Sequence, residues 1–579
     1  MFYSFIRDEN INNIFYISNY FLDYKIGIYL IFISICLTIL KHYISKLNNN
    51  DFIIFFIFSF GIYVSTFYSY DETFINLEHI YNLNNFGKLS FSPYEMINGT
   101  VDYVFCFLLY PFSASRDTLL IANYILNFVF LFLHFVILFF YFKNKTNIRY
   151  LLLILFACYL PFTWIFGKGF GNNIVSLFFF YSLILYLENK TNKSLLVASF
   201  LPILRPDAIL YSMTILIGHF LNTKEFQFRY FIFSLISFFA FFVFTYIVYN
   251  QVIPTPMEFK SISIKELDLI DYEAALKNIL KSYNLFFLIC FLFSLFFIEK
   301  KSEIVKINYF FLPLFAIFLF YSLNPETQSF PRYSFGFLLL QAIFFIFLIS
   351  KMELNIKFNE KLFFNLKLNF LFKYETYISV LIMITIIPIL IHTQNTRFSG
   401  NRIDTLSIGG QITEKIIPNN WVVAATELNT FGFSNDLNIY DMWGYSNKLI
   451  SKSKIRTDHN KKIIPELFLK ISPDIFWFRT RNINGMNYYV TKANPEYTLT
   501  QANFSKSENY LGDMNKILNN YDLYSLIYKN YDTILLVRKD NKEKIFKYLA
   551  KNKFQIDYKK ELDFKEFKFL YEISKYKSF

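Results

Sequence analysis

Cysteine is scarce here and badly placed for a disulfide framework or a zinc site. The 579 residues include four, Cys36, Cys106, Cys158 and Cys290. All fall in apolar runs, where a free thiol behaves as a small hydrophobe, and none lies in the polar C-terminal part. Charge is also sparse: Asp, Glu, Lys and Arg make up 17% of the chain against 54% hydrophobic residues. With a positive mean hydropathy, that balance excludes an ordinary soluble enzyme and places the chain in a bilayer. No internal repeat is evident. No small-residue cleavage site follows the first apolar run, which is therefore read as a retained helix and not as a removed signal peptide.

What abounds is phenylalanine, 78 residues, beside 44 tyrosines. In company with much Ile, Asn and Lys, these aromatics read as the echo of an AT-rich genome and not as stacking platforms. No nucleic-acid partner is expected; the surrounding partners are membrane lipids.

Apolar runs of spanning character occur at 26–40, 52–68, 118–142, 150–166, 173–187, 230–249, 284–298, 308–323, 333–350 and 377–392. An eleventh run, 195–221, is broken by "LRPDA". At roughly 20 residues per crossing it is short for two full passages, so the expectation is a helical hairpin with short arms and Arg205 near its tip. The expected architecture is a polytopic α-helical membrane protein of about 11–13 transmembrane segments, residues 1–393, followed by a soluble α/β domain, residues 394–579.

Loops 41–51, 143–149, 188–194, 222–229, 299–307 and 351–376 together hold 17 Lys and Arg, about twice the number on the other side, which makes them cytoplasmic. Loops 69–103, 167–172, 250–283 and 324–332, the hairpin tip and everything after residue 393 are then outside. In the C-terminal part, "WVVAAT", "LNIYD", "DIFWFR", "LYSLIY" and "DTILLVRK" read as strands and 542–551 as a helix. This part carries 29 Lys and Arg against 20 Asp and Glu, supplying +9 of the formal +13. Such a surface suits a solvated face beside anionic headgroups first, and holding anionic lipid-linked substrates second.

The first outer loop opens with "YDETFINLEHIYNLNNFGKLSFSPYEMINGT", residues 70–100. A helix over 72–83 places Phe74, Leu77 and Tyr81 on one side and Glu72, Asn76, His79 and Asn82 on the other, the pattern of an interfacial helix whose polar face looks into water or substrate. Asp71 and Glu72 stand at its start. By spacing alone they serve as an ordinary N-cap and as first-turn acids that complement the helix dipole.

The loop resembles the first outer loop of GT-C membrane glycosyltransferases that use polyprenyl-phosphate sugars, closest to the bacterial arabinofuranosyltransferase-like branch. The matching elements are Asp71-Glu72, "YNLNNFGKL", "FSP" and "NGT". "LRPDAILY" (204–211) is similar to that branch's Arg-Pro-acid element, "VYNQVIPTPMEFK" (248–260) to a segment ending in Lys, and "LNIYDMWGYSNKLI" (437–450) to an outer-domain strand. Departures are Glu72 where Asp is usual, Glu78 where a base is common, and Lys168 in "FGKGFGNN".

The resemblance implies inverting transfer of a sugar from a polyprenyl-phosphate donor to a glycan or lipid acceptor of the cell envelope, outside the inner membrane. Asp71 is then the general base and Glu72 orients the acceptor or shares that role. Arg205, Lys260 and Arg332 are the cations for the departing phosphate. Each has a plainer reading: Asp207 pairs Arg205, Arg332 snorkels at a helix end, and Lys260 is a loop lysine. Asp207 and His79 complete the substrate-binding set with these three cations; the plainer reading of His79 is a polar-face residue, with no metal cluster around it. No cofactor is required. A divalent cation at the acid pair is compatible with the resemblance, although two carboxylates underspecify one. The competing classes are a lipid-linked glycan transporter or flippase, and an oligosaccharyltransferase or glycan ligase using a lipid diphosphate.

Overall fold

The computed structural model describes residues 71–93, 96, 98–142, 171–258, 303–323, 335–358, 421–425, 429–433, 435–442, 465–482, 519–528, 531–541 and 557–559, with isolated positions between them. It is mostly helical, with one sheet near the C-terminus. The helices are α1 (Asp71–Phe86), α2 (Tyr103–Leu109), α3 (Arg116–Phe142), α4 (Asn172–Leu187), α5 (Thr191–Ser199), α6 (Leu201–Leu204), α7 (Ile209–Thr223), α8 (Phe228–Tyr249), α9 (Glu303–Leu323) and α10 (Phe335–Phe358). Among the described residues, three helices are long and apolar enough to cross a membrane: 116–142, 228–249 and 306–323. On α8, Phe228, Ile236, Phe239, Val243 and Ile247 recur at helical spacing and are exposed. An apolar stripe of this extent facing outward is what a bilayer, and not water, accommodates. Of the other expected spans, 26–40, 52–68, 150–166 and 377–392 lie outside the described residues and 284–298 almost wholly so.

The run at 195–221 is the expected hairpin. Its first arm is α5 and α6, its second is α7, and the two pack on each other. Arg205 sits in the break with φ −156° and ψ 140°. The cause is local: Pro206 pushes the residue before it out of the helical region and then opens a 3-10 turn, Pro206–Ala208.

Loops sort to the two ends of the bundle. At one end lie the loop after α1, the start of α4, the Arg205 turn and the end of α8, where the Tyr249 hydroxyl donates to the Leu89 carbonyl (2.6 Å). At the other, Lys306 Nζ reaches Asn189 Oδ1 and Arg229 Nη2 reaches Asn192 Oδ1. Helix α4, about 24 Å long at 1.5 Å per residue, separates the two. Helices α3 and α4 pair in the same direction, Asn127 with Asn173 and His134 with Phe180.

The C-terminal unit is a six-stranded sheet in the order β2-β1-β3-β5-β4-β6, with β1 Val422–Ala425, β2 Asn438–Asp441, β3 Ile475–Asn482, β4 Tyr521–Tyr528, β5 Tyr531–Arg538 and β6 Asp557–Lys559. β2, β1 and β3 run parallel; β5, β4 and β6 add antiparallel pairings. Two short helices, α11 (Asn429–Phe433) and α12 (Pro465–Ile471), join it. The five expected strands are all present. The expected helix at 542–551 lies almost wholly outside the described residues. Val423, Ala425, Ile475, Trp477 and Val537 form the core, with Phe431 stacked on Trp477 at 4.4 Å. Two core members come from elsewhere: Ile75 of α1 and Phe91 of the following loop complete the same cluster.

Candidate functional site

Helix α1 begins at Asp71, so the acid pair occupies its first turn. It ends at Gly87, whose φ of +69° is the left-handed cap that lets the Lys88 N–H return to the Asn82 carbonyl. The expected faces exist, but the polar one does not look into water. Asn76, Glu78, His79 and Asn82 are all buried, as are Phe74, Leu77 and Ile80. The loop 87–102 folds back along this face and supplies backbone partners that helical periodicity cannot reveal. Asn82 Nδ2 donates to the Ser90 and Phe91 carbonyls (3.0 and 2.9 Å). The Gly99 N–H donates to His79 Nε2 (3.0 Å), leaving His79 Nδ1 to donate to the Ile75 carbonyl (2.7 Å). His79 is therefore a neutral, buried fastener of the "NGT" segment. The structure thus places His79 inside the fold, against the loop.

At the foot of the loop stands Asp102, which the sequence reading did not single out. It occupies the N-cap position of α2 but makes no side-chain cap bond; its carboxylate is spent elsewhere. Oδ1 accepts from Arg205 Nη1 (2.7 Å) and Oδ2 from Asn76 Nδ2 (2.9 Å). Asn76 is oriented in turn by Thr100, whose hydroxyl donates to Asn76 Oδ1 and accepts from the Asp102 N–H. Arg205 also forks onto Asp207, Nε to Oδ1 (2.9 Å) and Nη2 to Oδ2 (3.2 Å). One guanidinium thus lies between two carboxylates, a group of net charge −1 in which Asp102 and Arg205 are nearly enclosed and Asp207 is partly open. This is the pairing reading of Arg205, extended by a second acid. Gly171 closes the group from the third side, since a Cβ there would stand 2.4 Å from the Asp102 carboxyl carbon. Three segments distant in sequence, ending in Asp102, Gly171 and Arg205, therefore meet at one point.

A second ionic group joins α1 to the sheet domain. Arg116 Nη2 reaches Glu78 Oε1 (3.2 Å), Asp436 Oδ1 (2.8 Å) and the Asn435 carbonyl (2.7 Å), and its guanidinium lies 3.9 Å from the centre of the Tyr81 ring. Burial pushes the Glu78 carboxyl up to about 7, against the lowering effect of Arg116. Glu78 Oε2 and Asn82 Oδ1 are both buried without a hydrogen-bond partner. Burial favours the protonated form of the Glu78 carboxyl, while Arg116 and Asn82 act in the opposite sense.

Deeper in the bundle, α3 and α4 share a polar seam: Asn127 Nδ2 donates to Asn123, Asn173 donates to Asn127 Oδ1, and His134 Nε2 meets the Ser176 hydroxyl. Interhelical amides of this kind hold helices together in lipid.

Lys260 and Arg332 lie outside the described residues, as do the side chains of Asp71 and Glu72. Among the described residues no group of three or more His, Cys, Asp or Glu could hold a metal ion. No protein-family model, curated protein or solved structure matches the chain.

Proposed function

We propose that the chain is an integral membrane, inverting glycosyltransferase that moves a sugar from a polyprenyl-phosphate carrier to a cell-envelope glycan or lipid. The observation that supports this reading best is convergence. The helix opening with Asp71-Glu72, the turn carrying Arg205-Asp207 and the start of α4 meet at one end of an apolar bundle. A donor whose prenyl tail stays in lipid needs its reacting groups gathered at headgroup depth in this way.

In the reaction, the acceptor hydroxyl gives its proton to Asp71 as its oxygen bonds to the sugar's anomeric carbon. The bond from that carbon to the phosphate oxygen breaks, and polyprenyl phosphate leaves with the electron pair. Lys260 and Arg332 are the cations assigned to the departing phosphate. Arg205, already held by two carboxylates, orients the site and does not receive the phosphate directly. The outer face, with the sheet domain above α1, is the expected side.

The test compares surface glycans and lipid-linked sugars by mass spectrometry in cells lacking the protein and in cells complemented with Asp71→Asn. The expected result is that both lack the same sugar and accumulate its carrier; an unchanged glycan profile, or full rescue by the Asn variant, overturns the reading. The α3–α4 polar seam favours one alternative, a transporter of lipid-linked glycans, for which Asn127→Leu would abolish transport and Asp71→Asn would not.

A further inference from the structure

We infer that Asp102 is a positioning residue that sets the place of the acid-bearing helix relative to the Arg205-Asp207 turn. The inference rests on the glycosyltransferase reading only for its consequence in turnover; the mechanical part stands on the contacts. Asp102 spends one carboxylate oxygen on each element it joins, Oδ2 on Asn76 of α1 and Oδ1 on Arg205. Asn76 lies five residues after Asp71, about 7.5 Å along the helix axis, so the bond falls just beyond the first turn, where small tilts move the helix start most directly. Neither partner can swivel. Thr100 fixes the amide of Asn76 from its oxygen side, and Asp207 holds the other edge of the Arg205 guanidinium in a fork.

Gly171 adds an independent sign that the carboxylate's position matters. Its φ of −57° and ψ of −17° are ordinary helical values that alanine adopts freely. Backbone freedom therefore does not explain a glycine there; space does, because any Cβ would collide with the Asp102 carboxyl group. A purely electrostatic role for Asp102 would leave room at 171, whereas here the chain yields a side chain so that the carboxylate can sit between α1 and the turn. The enclosed pair also resists rearrangement, since an Arg left in apolar surroundings with one partner removed is costly.

The test uses the full-length protein in membranes, with Cys36, Cys106, Cys158 and Cys290 replaced by Ala and a single reporter cysteine at position 72 (Glu72→Cys) or, as control, at Lys224→Cys at the opposite end. Maleimide labelling rates are compared in the parent, Asp102→Asn and Gly171→Ala backgrounds. Asp102→Asn keeps shape but removes the charge that grips Arg205; Gly171→Ala leaves the charge and displaces it. The expected result is that both change the rate at 72 severalfold and leave that at 224 unchanged, with folded protein recovered at parental yield. In cells carrying native Glu72, product falls about 10- to 100-fold with either variant, and Asp102→Asn with Arg205→Gln, a neutral hydrogen-bonded pair, recovers part of it. Unchanged labelling at 72 in both backgrounds overturns the inference. So does a rise at 72 and 224 together, or loss of folded protein in both variants, either of which makes Asp102 merely structural. If Asp71→Asn keeps full product while labelling at 72 still responds, the enzymatic reading fails and the positioning inference survives.

Discussion

Replacing Glu78 by Gln probes the most unusual electrostatic feature of the fold. Glu78 is 2% exposed, with Oε1 on Arg116 and Oε2 buried without a hydrogen-bond partner. The charged groups gathered around it are Arg116 at the start of α3 and Asp436 of the sheet domain, with Tyr81 and Glu414 beside them. Its carboxyl is raised from 4.5 to about 7 by burial. A folded-state value above the unfolded one favours the protonated form in the native protein, so its stabilisation is complete below pH 4.5 and is lost as pH rises through about 7. At about 1.4 kcal/mol per pH unit the loss amounts to about 3 kcal/mol. Gln preserves the size, accepts from Arg116 and carries no charge at any pH. Thermal unfolding of the detergent-solubilised chain, followed between about pH 5 and pH 8, is expected to show stability falling with pH in the parent and a flatter profile in Glu78→Gln, the variant being the more stable at the alkaline end. Parallel profiles for the two proteins, or parental stability that rises across this window, would refute the protonated arrangement.

Two further predictions concern the same junction. Arg116→Ala removes the donor shared by the Glu78 carboxyl, the Asp436 carboxylate and the Asn435 carbonyl and is expected to cost about 1–3 kcal/mol, read as faster proteolytic release of the sheet domain; the double variant Arg116→Met, Glu78→Gln should recover part of the loss, and no recovery would count against this account. Phe91→Ala removes a ring that belongs to the sheet's core and packs against Gly432. The expected cost is about 3–5 kcal/mol in chemical unfolding followed through tryptophan emission in a variant that keeps Trp477 and carries Phe at the other three tryptophan positions, and a cost under about 1 kcal/mol would show that the first loop only rests on the domain.

Much of the architecture was legible because it is written in local pattern. Apolar runs located α3, α4, α8, α9 and α10; Pro206 located the break that places Arg205; and short β-branched and aromatic runs located β1 to β5. β6, with three residues, is too short to carry an alternating signal. The order in which the strands pair is a long-range property that no run encodes. The site was legible only at its beginning. Asp71-Glu72 sit at a helix start as spacing suggested, but the polar face behind them is satisfied by carbonyls and amides of residues 88–102, and those partners depend on how the loop folds back. Asp102 was hidden for a related reason: an Asp before a helix reads as a cap, and only the arrival of Arg205 from 103 positions away gives it another task.

The Arg116–Asp436 contact spans 320 positions, and this has a bearing on biogenesis. Ile75, Glu78 and Phe91 leave the ribosome long before the strands that will cover them have been made. During that interval the amphipathic helix must be sheltered by lipid or by a chaperone, and the sheet cannot close its own interior until it finds a helix already waiting. Each half is thus the other's assembly checkpoint. A ribosome that stalls before residue 422 leaves behind a chain with bare apolar side chains and an Arg116 that lacks its Asp436 partner.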